Sequence, residues 1–75
     1  MNTAEDDLRA QVRAAIAAAQ ISQAEIARRL NLTPKHLSHM LTGRATLTLG
    51  WAEAIAAVCG LRIVISLAHE TRETA

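Results

Sequence analysis

Seventy-five residues allow one hydrophobic core and leave little stability to spare, so the chain is a single small domain. Hydrophobic residues make up 51% of it but aromatics only 1%, with alanine dominant, which favours closely packed helices over a sheet core. A single cysteine, Cys59, excludes an internal disulfide, and the formal net charge of +1 conceals a segregation: from Leu8 to Ala52, Arg9, Arg13, Arg28, Arg29, Lys35 and Arg44 face Glu25 alone, while both ends are acidic.

The first helix is expected from about Ala4 to Ala19, with Thr3 as its cap, acids in its first turn, and Leu8, Val12, Ala15, Ile16 and Ala19 as its buried stripe. Its acidic approach, Met1 to Asp7, is unlike a signal peptide, and no apolar run nears the ~20 residues that cross a bilayer, so a soluble, unexported protein is expected. A second helix starts at Gln23, where Ser22 and Glu25 form a capping box and Ile21 can staple onto Ile26. It reaches no further than Leu30. Asn31 tolerates left-handed backbone, and Thr33-Pro34 has the cap-then-proline form of a new helix start. The third helix runs from Pro34 to Leu41 or Thr42, buries Leu37, Met40 and Leu41, keeps its other face polar, and stops at Gly43. Thr48 caps a fourth, which buries Leu49, Ala52, Ile55, Ala56 and Cys59 and ends at Gly60. Leu61-Arg62-Ile63-Val64-Ile65-Ser66-Leu67 then alternates with period two and is β-branched, which predicts a strand, and residues 68 to 75 read as a frayed tail.

Two short helices joined by a tight turn pack together only when their contact positions are apolar or small. Ile26, Leu30, Leu32, Leu37 and Met40 supply the apolar contacts and Ala27 the close approach. The segment resembles the λ-repressor-like helix-turn-helix family, also called the XRE family, through Ser22-Gln23-Ala24-Glu25-Ile26-Ala27, Leu30-Asn31-Leu32-Thr33 and Leu41-Thr42-Gly43-Arg44, over roughly Val12 to Leu61. Asn31 stands where that family often has glycine. The resemblance implies double-stranded DNA as partner and the third helix as the recognition helix. Pro34 and Lys35 then occupy base-reading positions. Pro34 offers only apolar contact, for instance with a thymine methyl, whereas Lys35 can donate to guanine O6 and N7 and His39 reaches the next base edge, with Ser38 beside them. Gln23, Thr33, His36, Thr42, Arg44 and Thr46 are placed along the phosphate backbone.

Other chemistries have thinner support. His36 and His39 have the one-turn spacing of two metal ligands, but no third ligand lies nearby in sequence. Ser38 has no acidic orienter for its neighbouring histidines, and no glycine-rich phosphate cradle or paired carboxylate motif occurs, so neither catalysis nor a cofactor is expected. Arg13, Arg28 and Arg29 read as solvated charges that add affinity without specificity.

A lone strand leaves its backbone groups unpaired, so the Leu61 to Leu67 segment implies a partner from elsewhere: a second copy of the chain across a two-fold axis, with addition to the sheet of a different protein as the competing account. The expected fold is thus mainly α: a four-helix bundle (residues 1–60) followed by one dimerisation strand (61–67), with an interface of Leu61, Ile63, Val64, Ile65, Leu67 and Trp51. Trp51 fits a partly buried core position equally well. The expected function is a cytoplasmic, homodimeric repressor of phage type on a palindromic operator, in a bacterial or phage-infected cell and without a sensor domain. Two alternatives stand beside it: the antitoxin of a toxin-antitoxin pair, which adds a cognate toxin as partner, and a protein-interaction module that keeps the fold without binding DNA.

Overall fold

The computed structural model of the chain describes residues 3–69, which form four helices: α1 (Thr3–Ala19), α2 (Gln23–Arg29), α3 (Pro34–Thr42) and α4 (Leu49–Val58). The expected cap at Thr3 concerns a side chain outside the described ones, and residues 70 to 75 of the expected tail lie outside the described residues altogether. The other three starts form as local chemistry dictates. Ser22 Oγ accepts from the Glu25 N–H at 3.1 Å, Thr33 Oγ1 from the His36 N–H at 3.0 Å and Thr48 Oγ1 from the Trp51 N–H at 3.1 Å. Only this half of the Ser22 capping box is seen. The Glu25 carboxylate turns instead to Arg28 and Arg29, accepting from Arg28 Nε at 3.1 Å and from Arg29 Nε at 2.7 Å.

Left-handed residues follow the helices. Asn31 (φ 58°) ends α2 in a Schellman motif: the Leu32 N–H donates to Ala27 O and the Asn31 N–H to Arg28 O. Gly60 (φ 80°) ends α4 in the same way, with the Leu61 N–H on Ala56 O and the Gly60 N–H on Ala57 O. Gly43 (φ 91°) ends α3. The sequence reading passed over Gln20, which follows α1 at φ 57° with no side chain suited to that region. Gln20→Gly is therefore expected to stabilise the domain by about 0.5–1 kcal/mol, through relief of strain at this site. Thermal denaturation should show a melting temperature higher by about 4 °C.

The core gathers Val12 and Ile16 of α1, Ile26 and Ala27 of α2, Leu37, Met40 and Leu41 of α3, and Ala52 and Ile55 of α4. Ile26, Leu37, Met40 and Ile55 are fully buried, so the two helices of the motif and α4 close over a single centre. Two expectations are corrected here. Leu49 is 43% exposed, and Leu47, in the turn before α4, is buried in its place. Arg9, counted among the cations of a basic stripe, is buried against the core.

The expected strand is absent: among the described residues there is no β-strand, and the fold is a four-helix bundle alone. The physical reason is that period-two patterning prepares a segment for a ladder but supplies no second strand, and this chain offers itself none. Ile63 packs partly buried against the core, while Leu61, Val64, Ile65 and Leu67 remain exposed. The strand-paired dimer built from Leu61, Ile63, Val64, Ile65 and Leu67 is withdrawn with the strand. Trp51, offered to that interface or to the core, lies partly buried against the core cluster. No helix among the described residues is long and apolar enough to cross a membrane.

Candidate nucleic-acid interface

Helix α3 is amphipathic with a clean division of labour. Its Leu37, Met40 and Leu41 enter the core, and the remaining positions face outward because a 3.6-residue period leaves them no other choice. Lys35, Ser38, His39 and Thr42 then share one face, and together with Arg44 they line a single open concavity on the protein surface. Lys35, Thr42 and Arg44 are exposed, while Ser38 and His39 are half-buried. The concavity thus joins three residues expected at bases with two expected at phosphates.

The other candidates lie around it. Thr33 and Pro34 are exposed at the start of α3, Gln23 at the start of α2, and Thr46 in the turn before α4. His36 sits on the flank of α3 toward α4, its ring centroid 6.2 Å from that of Trp51 and 77° from coplanar, an edge-to-face arrangement. It does not line the concavity with His39, so the two rings serve different neighbours. Among the described residues no three His, Cys, Asp or Glu side chains gather to hold a metal ion. Partial burial pushes the Cys59 thiol above its ordinary range.

Hydroxyl chemistry separates two threonines that the sequence treats alike. Thr33 Oγ1 uses a lone pair to cap α3, which leaves its O–H available for a phosphate oxygen. Thr42 Oγ1 donates back along the helix to Ser38 O at 2.9 Å, so its proton is already committed. To donate to phosphate, Thr42 must first break that bond.

The basic stripe is smaller than its residue count. Arg28 and Arg29 both pair with Glu25, whose carboxyl their hydrogen bonds hold below the usual range. Arg9 pairs with Glu5 at 2.6 Å and Asp6 at 3.1 Å. Among the described residues no ion pair joins Lys35, Arg44, Arg13 or Arg62, and two of these four unpaired cations, Lys35 and Arg44, meet at the concavity.

Beneath that surface Arg9 and Glu5 form a buttress that the sequence reading missed. Arg9 donates from Nε to Met40 O at 2.7 Å and from Nη2 to Ala45 O at 3.4 Å, and Glu5 Oε2 accepts from the Leu47 N–H at 3.1 Å. The available signal was the i,i+4 spacing of Glu5 and Arg9 on α1, with Arg9 one residue from the buried stripe. The Leu47 amide, and then Arg9, hold the Glu5 carboxyl below its ordinary value of 4.5. A carboxyl depressed by folding contributes stability that is present above its unfolded value and lost as pH falls through its folded one. Denaturant midpoints should thus decline as the solution is acidified below about pH 4.5, and Glu5→Gln should flatten that acid limb while lowering stability at neutral pH.

The fold and this face define a helix-turn-helix module: a short brace helix, a tight turn, and a second helix that presents donors outward. The profile of the helix-turn-helix domain family matches residues 7–63, well over half of the chain, and the chain belongs to that family. Such domains are non-catalytic DNA-binding modules, so the protein is a DNA-binding protein with a regulatory role and not an enzyme. Comparison with curated proteins and with solved structures yields no match.

Proposed function

We propose that the chain is a transcriptional repressor of the λ-repressor-like kind, which lays α3 in the major groove and acts by occupying promoter DNA. In this reading Lys35 donates to guanine O6 and N7, His39 and Ser38 reach the neighbouring base edge, and Pro34 makes apolar contact at the helix start. Arg44, Thr33, Thr46, Gln23 and, at the flank, His36 hold phosphates and set the register, with Thr42 joining them once its hydroxyl turns.

The observation that carries the reading is the convergence of Lys35, Ser38, His39 and Arg44 on one concavity where the positive charge is uncompensated. A recognition helix needs that combination: donors at base height beside a cation at phosphate height. Selection of bound duplexes from random DNA tests it. The expected result is a short conserved sequence containing guanine, with affinity falling steeply as salt rises. Recovery of no preferred sequence would overturn the reading. For the sign of regulation, a reporter whose promoter carries the selected sequence is expected to be silenced by the protein, and activation would overturn the repressor assignment.

A further inference from the structure

All four helices of this domain end in a left-handed residue, and α3 ends differently from α2 and α4. At the ends of α2 and α4 the amide of the left-handed residue returns to the carbonyl three positions back: Asn31 N–H to Arg28 O, and Gly60 N–H to Ala57 O. At the end of α3 the equivalent carbonyl is Met40 O, but the Gly43 N–H goes to His39 O instead, as do the Arg44 N–H at 2.9 Å and the Ala45 N–H at 3.0 Å. The Met40 carbonyl is satisfied from another helix, by Arg9 Nε at 2.7 Å. The same guanidinium reaches Ala45 O, and its partner Glu5 takes the Leu47 amide.

Arg9 is 9% exposed, and a buried cation is a poor choice for stability alone, since well-packed apolar residues commonly do as well. A guanidinium does what an apolar side chain cannot, which is to fix the separation of several backbone groups through its rigid fork. Those groups lie on both sides of Arg44, and Thr46 is flanked by Ala45 and Leu47.

We propose that Arg9, which takes no part in the concavity, is a positioning residue of the DNA interface: with Glu5 it clamps the end of α3 and the turn of residues 43–47, so that Arg44 stands at phosphate height relative to Lys35. This rests on the DNA-binding reading above. It makes the register between base contact and phosphate contact a property of α1, a helix that touches neither.

The test is a pair of double-mutant cycles on a labelled duplex selected from random DNA by the wild-type chain, followed by fluorescence anisotropy across a salt series. Arg9→Met is expected to weaken binding about tenfold, the loss of roughly one charge-assisted contact. It should also lower the slope of log affinity on log salt by about 0.9, as Arg44→Ala does. Arg9→Met combined with Arg44→Ala should bind within about twofold of Arg44→Ala alone, whereas combined with Lys35→Ala it should multiply the losses. Arg9→Lys, which retains charge but not the fork, should resemble Arg9→Met. Should Arg9→Met fail to fold, Glu5→Met removes the acceptor of the Leu47 amide and enters the same cycles with the same expectation. Multiplication with both partners and an unchanged salt slope would overturn the proposal and leave Arg9 a stabilising residue only. A wild-type chain that selects no duplex would instead overturn the DNA reading itself, so the two failures are distinct.

Discussion

Lys35→Ala lowers affinity for the selected duplex by about 1 to 3 kcal/mol, roughly fivefold to 150-fold, and relaxes the preference at a single base position. His39→Ala does the same one position along. The argument is geometric. Lys35 and His39 are four residues apart on the outward face of α3, one above the other, so each meets its own step of the groove. Repeating the random-duplex selection with each variant measures the effect directly, because a lost base contact flattens one column of the recovered sequences and leaves the rest. Uniform weakening at every sequence would show that these side chains hold phosphates. Neither variant should move the melting temperature appreciably, since neither side chain is among the core residues.

The second large effect runs the opposite way, costing stability without touching the interface chemistry. Leu37 is fully buried within the recognition helix, at the centre where α2, α3 and α4 close. Leu37→Ala is expected to cost about 2–5 kcal/mol, the lost transfer energy plus that of the cavity left behind. A domain of this size has little more than that in reserve, and thermal denaturation by circular dichroism should show a fall of at least about 10 °C. A fall of only a degree or two would mean that the core relaxes around the gap, and that the packing of α3 is looser than its burial implies.

What could be read from the residues was whatever depends on local rules. Ser22, Thr33 and Thr48 form caps because a hydroxyl before an apolar-periodic run has few alternatives, and Asn31 turns left-handed because the helices on either side require it. The outward set on α3 followed from periodicity once Leu37, Met40 and Leu41 were assigned inward. What escaped was whatever depends on distant partners. Arg9 meets Met40 across 31 positions, and Glu5 meets Leu47 across 42, so the i,i+4 spacing announces their pairing with each other but not these contacts. The exchange of Leu49 for Leu47 in the core is of the same kind, since both flank the Thr48 cap and only the path of the turn decides which points inward. Leu61 to Leu67 shows the converse. Its alternation was legible and its β-branching real, but a strand is a relation between two segments, and the described residues contain only one of that kind.

The edge-to-face meeting of His36 and Trp51 gives the molecule an optical probe of its own. With one tryptophan and neither tyrosine nor phenylalanine in the chain, all of its near-ultraviolet emission originates from a single indole, set on α4 against the flank of α3. Light from that indole therefore responds to the seating of the recognition helix as well as to the core against which it packs, and is an intrinsic probe that needs neither a dye nor a changed residue.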